Sequence, residues 1–323
     1  MPLRALVTDR TWPDLAVEEA ILGPAGIELV EPASGDEAGL IAAAAGCHAI
    51  MTQWAKVTPA VIDAAGEDLR IVCRLGIGLD NIDVAHATAR RVIVTNVPDY
   101  CVDEVAEHAM ALLLAMARNV ALFHEQARRG VYDLASAPPM RRLAGRTLGV
   151  VGFGLTGQAV ARRAVGLGLD VLVFNRSEKP TPPGVTQVGL DRLLAESDYV
   201  SIHVPLTPET RHLIGRRDLE SMKPTAGLIN TARGPIVDAA ALEAVLAAGH
   251  LGGVALDVQD PEPPDLSRPL YRHARVIVTP HAAFVSEESL ADLRRRTATQ
   301  VRDRLTGGTP ENIRNPEALT RKV

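Results

Sequence analysis

Val150-Val151-Gly152-Phe153-Gly154-Leu155-Thr156-Gly157 lies between an apolar run, residues 147–151, and a helical run, residues 158–166. Three glycines spaced Gly-x-Gly-x-x-Gly between a strand and a helix have separate tasks. Gly152 permits a tight turn, Gly154 lets a phosphate approach the main chain, and Gly157 lets helix and strand pack closely. The unpaired N–H groups where the helix begins, at Leu155 and Thr156, then face the phosphates. The stretch predicts the first strand–turn–helix unit of a doubly wound, dinucleotide-binding parallel sheet. Residues 1–146 come before it, enough for a domain of their own.

Downstream, apolar runs recur at 171–174, 199–204, 227–230, 253–258 and 276–279, which with 147–151 make six strands of a Rossmann sheet. Upstream, runs at 3–8, 27–30, 49–52, 69–75 and 92–95 alternate with helical stretches at 13–22 and 58–65. That alternation predicts a second, smaller α/β unit, flavodoxin-like, with a parallel sheet covered on both faces. Pro98 closes this unit. Residues 102–129 read as one helix, about 40 Å long, linking two domains and stopped by Gly130. Residues 135–142, with Pro138-Pro139, read as a loop. A last helix, 287–305, is too short to stand alone and is expected to return to the first unit. The expected division is therefore a discontinuous substrate-binding domain, 1–98 plus 286–323, and a dinucleotide-binding domain, 99–285.

A length of 323 residues fits two domains, and the composition, 47% apolar and 23% charged, is that of a globular chain. The net charge of −5, with both signs interspersed, points away from nucleic acid and toward a small-molecule partner. Cys47, Cys73 and Cys101 have no metal-ligand spacing, so no metal is expected, and sparse cysteines suit a reducing cytoplasm. Met1-Pro2-Leu3-Arg4 lacks a signal-peptide pattern. The longest apolar run, 109–117, is shorter than the roughly 20 residues a bilayer demands, so no membrane partner is expected.

The second strand of such a sheet commonly ends in an Asp or Glu that binds the ribose of NAD. Here Asn175-Arg176-Ser177 follows instead. Asn175 removes a charge that would repel a 2′-phosphate, and Arg176 and Ser177 offer a planar cation and a hydroxyl. NADP(H) is the expected preference. NAD(H) stays possible, with Arg176 as a solvated surface group.

Polar residues also fall at later strand ends, where open α/β sheets place their ligands. Residues 228–234 run into Arg233, 253–258 carry Asp257, 260–264 place Glu262 among prolines, and 277–281 end at His281. An Arg, a Glu and a His on successive strand-end loops match the needs of hydride transfer to a 2-keto acid. A guanidinium grips a carboxylate in a fork. An imidazole delivers a proton to the carbonyl oxygen, and a neighbouring carboxylate fixes its tautomer and favours its charged form.

The chain resembles the D-isomer-specific 2-hydroxyacid dehydrogenase family almost end to end. The resemblance is carried by Arg74-Leu75-Gly76-Ile77-Gly78-Leu79-Asp80-Asn81-Ile82-Asp83, Val105-Ala106-Glu107-His108, the glycine turn and His203-Val204-Pro205-Leu206-Thr207-Pro208-Glu209-Thr210. Ile229-Asn230-Thr231-Ala232-Arg233-Gly234, Ala255-Leu256-Asp257-Val258, Glu262-Pro263 and Thr279-Pro280-His281 complete it. It implies that Arg233 binds substrate, His281 is the acid/base and Glu262 pairs with it. It implies further that the Ile77 and Gly78 N–H groups meet the substrate carboxylate, and that Pro205, Thr231, Ala232 and Asp257 contact the cofactor. A homodimer is also implied.

Departures from relatives narrow the substrate. Formate dehydrogenases carry Gln at the position of Glu262, and phosphite dehydrogenases carry Lys at that of Ile77. Phosphoglycerate dehydrogenases tend to have Arg near Thr52, although Arg74 remains as a phosphate partner. Asn175-Arg176-Ser177 resembles glyoxylate/hydroxypyruvate reductases, which sets the leading expectation. The alternatives are a D-3-phosphoglycerate or D-lactate dehydrogenase, or a cofactor-binding scaffold like the C-terminal-binding corepressors, which residues 98–104 resemble.

Overall fold

Short apolar runs alternating with helices build two all-parallel sheets, one in each of two compact units. The computed structural model describes residues 2–319. One unit comprises Met1–Tyr100 with Ser286–Val323, the other Cys101–Val285.

In the first unit, strands β1 (Leu3–Val7), β2 (Ile27–Val30), β3 (Ala49–Thr52), β4 (Ile71–Arg74) and β5 (Ile93–Thr95) lie in the order β2-β1-β3-β4-β5. This is the flavodoxin order. All four residues of β3 and all four of β4 are buried, as central strands covered on both faces require. The helix Glu287–Leu305 begins at Ser286, whose hydroxyl accepts from the Ser289 N–H. Its Leu293, Ala298, Val301 and Leu305 pack with Val7, Met51, Ile71 and Cys73 of the sheet. Arg294 on this helix grips the buried Glu18 carboxylate in a fork, at 2.9 and 2.7 Å. Helices Glu37–Ala44 and Val84–Ala89 are additions to the sequence reading, and each starts on an aspartate cap, Asp36 and Asp83.

The second unit holds β6 (Thr147–Val151), β7 (Asp170–Phe174), β8 (Val185–Gln187), β9 (Tyr199–Ile202), β10 (Gly227–Asn230), β11 (Gly253–Leu256) and β12 (Val276–Val278). Their order is β12-β11-β10-β9-β6-β7-β8. The chain moves outward from β6 through β7 to β8, then returns to β9 and moves outward the other way. The reversal lies between β6 and β9, where open α/β sheets bind their ligands. The seventh strand, β8, has three residues at the sheet edge, too few to show a pattern in sequence.

The expected single helix over 102–129 is corrected. It is two helices, Val102–Ala117 and Val120–Arg128, bent by 64° at the break. Asn119 adopts a left-handed φ of +52° there, and its Nδ2 donates to the Pro138 carbonyl at 2.9 Å. Asparagine tolerates that conformation, and one such residue turns a helix without disturbing the apolar periodicity on either side. Both segments belong to the second unit. Among the described residues, no single helix is long and apolar enough to cross a membrane.

Candidate active site

The three glycines of the turn play distinct parts. Gly152 follows β6 with φ +102°, and a Cβ there would lie 2.5 Å from the His203 carbonyl oxygen. Gly157 carries the helix Leu155–Gly166 so close to the turn that a Cβ would collide with the Gly152 carbonyl oxygen. Gly154, the residue before the helix, differs: a Cβ there would have nothing within 4 Å. The protein leaves this position open, while the Leu155 and Thr156 N–H groups stand at the positive end of a helix dipole. The cradle fits a pyrophosphate.

Asn175 lies just beyond β7, and both ends of its amide are engaged. Its Oδ1 accepts from the Phe153 N–H at 3.2 Å, and its Nδ2 donates to the Ser177 carbonyl at 2.9 Å. It ties the glycine turn to the next loop and leaves Arg176 and Ser177 exposed. The Lys179 amine donates to the Phe153 carbonyl at 3.0 Å. Sequence reasoning passes over this cation, four residues beyond Asn175. A basic side chain shortly after a non-acidic second strand end is a readable signal.

The catalytic candidates are assembled by buried amides. Asn230, at the end of β10, accepts from the Ala232 N–H at 3.0 Å and donates to the Arg233 carbonyl at 2.8 Å. This folds the turn that presents Arg233, whose Nη1 donates to the Ala232 carbonyl at 2.8 Å. Gly234 then passes so near the Gln259 main chain that no Cβ fits between them. The Gln259 N–H donates to Glu262 Oε1 at 2.8 Å, and its Nε2 donates to the carbonyls of Leu256 and Thr279 at 3.1 and 3.2 Å. Glu262 Oε2 in turn accepts from His281 Nδ1–H at 2.8 Å. The loops after β10, β11 and β12 are thereby joined, with Glu262 and His281 in direct contact. A carboxylate holding Nδ1–H leaves the other ring nitrogen, Nε2, for proton transfer.

Asp257 is fully buried, and its carboxylate accepts from the Thr279 hydroxyl (2.5 Å) and the N–H groups of Ala282 and Ala283 (both 2.9 Å). Its own carbonyl accepts from the His281 N–H at 2.7 Å. These bonds hold His281 at φ +54° and aim its ring. His108 Nε2 lies 3.0 Å from the Thr279 hydroxyl and belongs to the same network. Thr231 has a buried hydroxyl with no hydrogen-bond partner among the described residues, as expected of a group reserved for a ligand. Ala232 packs on the core, and Pro205 is exposed on a turn closed by the Thr210 hydroxyl at 2.7 Å.

In the first unit, Ile77 is exposed and Gly78 partly so, on the loop after β4. Arg74 is buried beneath that loop, donating to the Leu75 carbonyl and stacking 5.7 Å from the Trp54 ring centre. The three cysteines are buried, and burial pushes the Cys47 thiol up and the Cys73 thiol up to about 12. A raised pKa keeps Cys47 and Cys73 as thiols near neutral pH.

Residues 110–283 match the NAD-binding domain of the D-isomer-specific 2-hydroxyacid dehydrogenases. Glyoxylate reductase of Korarchaeum cryptofilum is 41% identical over 281 residues, 84% of each chain. Hydroxypyruvate reductase of Thermotoga maritima is 38% identical, covering 77% of this chain and 80% of that one. D-3-Phosphoglycerate dehydrogenase of Methanocaldococcus jannaschii is also 38% identical, over 82% of this chain but 51% of its own length. A Thermus thermophilus protein superimposes with a TM-score of 0.89 at 34% identity, over 97% of this chain and 100% of that one. An acyclic imino acid reductase solved with NADPH and D-Arg has a TM-score of 0.85 at 26% identity, covering 96% and 99%. Aquifex aeolicus D-lactate dehydrogenase, solved with NAD and lactic acid, has one of 0.84 at 26% identity, covering 94% and 96%.

Proposed function

The chain belongs to the D-isomer-specific 2-hydroxyacid dehydrogenase family, and we propose that within it the protein reduces glyoxylate or hydroxypyruvate and prefers NADP(H). It is an NAD(P)-dependent oxidoreductase that interconverts 2-keto and D-2-hydroxy acids. The observation that carries the residue assignment is the 2.8 Å bond from His281 Nδ1 to Glu262 on a loop joined to that of Arg233.

The bound nicotinamide supplies a hydride to the substrate C2. The chain's own residues do the rest. Arg233 grips the substrate carboxylate with a planar fork, and the Ile77 and Gly78 N–H groups are assigned to the same carboxylate. His281 Nε2 gives a proton to the carbonyl oxygen as the alcohol forms. Glu262 keeps the ring in the tautomer that presents Nε2 and offsets the charge of the doubly protonated ring. Gly152, Gly154, Leu155, Thr156 and Gly157 take the pyrophosphate. Pro205, Thr231, Ala232 and the loop anchored by Asp257 border the nicotinamide half.

Three observations favour NADP(H). Asn175, not a carboxylate, directly follows β7, Arg176 and Ser177 are exposed there, and Lys179 adds a cation at the turn. Arg74, the candidate partner for a phosphorylated substrate, is buried and bonded to main chain, which weighs against D-3-phosphoglycerate. We read the protein as a homodimer, because Tyr132 is 100% and Leu134 86% exposed, with Val120 and Val131 also at the surface of one segment. Three sparse, buried cysteines suit a reducing cytoplasm.

Initial rates with glyoxylate, hydroxypyruvate, pyruvate and phosphohydroxypyruvate, each with NADPH and NADH, test this. The expected result is the highest kcat/KM for glyoxylate or hydroxypyruvate with NADPH. A higher value with NADH overturns the cofactor preference, and a higher value for phosphohydroxypyruvate overturns the substrate. No turnover with any acid supports the scaffold reading instead.

A further inference from the structure

We propose that Asn96 is a positioning residue for the substrate carboxylate, turning the Ile77 and Gly78 N–H groups outward. The proposal rests on the assignment of those two N–H groups to the substrate. A trans peptide is planar, so its carbonyl and the following N–H point in opposite directions. The Gly76 carbonyl accepts from the Val97 N–H at 3.1 Å, which directs the Ile77 N–H the other way. The Ile77 carbonyl accepts from Asn96 Nδ2 at 2.7 Å, which directs the Gly78 N–H the other way too. One residue earlier, the Leu75 carbonyl is held by the Arg74 guanidinium.

Successive carbonyls are thus drawn inward, and successive N–H groups share the opposite side. In an extended strand they would alternate. Gly76 makes the fold-back possible: its φ is +150°, and a Cβ there would sit 2.7 Å from Arg74 Nη1. Consecutive N–H groups on one side form a concave nest for an anion. Among the described residues, none accepts a hydrogen bond from the Ile77 or Gly78 N–H.

Of these inward ties, the one at Ile77 is made by the Asn96 side chain. Asn96 is 3% exposed, and its main-chain carbonyl is fixed by Gln300 Nε2 at 3.2 Å. Its Oδ1 is buried with no hydrogen-bond partner among the described residues. Turning the amide over would set that oxygen against the Ile77 carbonyl oxygen, so only the donating orientation is favourable. A buried amide that leaves one end unsatisfied is destabilising by itself. The compensating gain is the donor at Ile77.

Asn96→Asp keeps the shape but loses the donor at neutral pH. Its carboxylate would repel the Ile77 carbonyl and release the Gly78 peptide. The expected result is a rise in KM for glyoxylate of about 10- to 100-fold, the loss of one hydrogen bond to a charged group. kcat is expected to stay within about threefold and the Kd of NADPH to stay unchanged. Lowering the pH toward 5 restores a proton, hence a donor, to the introduced carboxyl group, so the KM of this variant should fall back toward the wild-type curve. Asn96→Ala, measured alongside, should raise KM without recovering in acid.

KM values within twofold of wild type in both variants overturn the proposal. So does a loss of NADPH affinity and thermal stability in step with KM, without acid recovery, since that marks a merely structural role. Arg233→Gln separates this from the underlying assignment. If Arg233→Gln leaves KM unchanged, the carboxylate site itself is wrong. If it raises KM while the Asn96 variants do not, only the role of Asn96 falls.

Discussion

Gly154→Ala should separate folding from cofactor binding at a single atom. A methyl group at 154 meets nothing within 4 Å in the protein, and the residue has φ −78° and ψ −165°, which alanine adopts freely. Restricting the unfolded chain stabilises by about 0.4–1 kcal/mol, and a poorer helix start costs about 0.5 kcal/mol. Net stability should change by less than about 1 kcal/mol, or about 2–4 °C in Tm for a unit of this size. Gly152→Ala is the control. There φ is +102°, worth about 1–3 kcal/mol of strain, and the methyl meets main-chain atoms of His203 at 2.5 and 2.7 Å, about 1–3 kcal/mol more. That variant should lose about 2–6 kcal/mol. The open space at 154 is where a pyrophosphate must approach, so Gly154→Ala should weaken NADPH at least tenfold, about 1.4 kcal/mol, while folding normally. Denaturant unfolding gives stability, and quenching of protein fluorescence gives the Kd. Unaltered NADPH and NADH affinity in a normally folded Gly154→Ala would refute the placement of the phosphates at this helix.

Two further outcomes follow from the site and its surroundings. Arg233→Lys should lower kcat/KM for the 2-keto acid about a hundredfold without changing NADPH affinity, because a point charge cannot replace a bidentate fork; steady-state rates at varied substrate check it. His203 is partly buried, and desolvation of its ring pushes its pKa from 6.5 down to about 4. Between those values the unfolded chain holds a proton that the folded one lacks, so stability rises with pH through that window. The effect is about 1.4 kcal/mol per pH unit and at most about 3 kcal/mol in total, lost as pH falls from about 6.5 to 4. Unfolding curves of wild type and His203→Asn over pH 4–8 should differ in slope by that amount, and parallel curves would contradict it.

What the sequence made legible was local. The three glycine tasks follow from spacing alone, and Gly152, Gly154 and Gly157 have three distinct environments. Strand ends were readable because the apolar runs stop shortly before the loops that carry Arg233, Glu262 and His281. The bend at Asn119 was hidden because a single left-handed residue leaves the helical period intact on both sides. The edge strand β8 was too short to register. The supporting amides were invisible for another reason. Asn96, Asn230 and Gln259 act through main-chain groups brought near by folding, and nothing in their neighbours signals it. Asp257 shows the same limit. Its burial and its bonds to residues 279–283 make it the anchor of the His281 loop, a role no spacing reveals.

The most direct test is the rate of glyoxylate reduction by NADPH in wild type and His281→Asn, with the NADPH Kd of each. His281 as proton donor requires kcat to fall by about 10²–10⁴ while cofactor affinity is unchanged. A His281→Asn enzyme that turns over at the wild-type rate would show that the proton comes from elsewhere, and the assignment of the Glu262–His281 pair would fail.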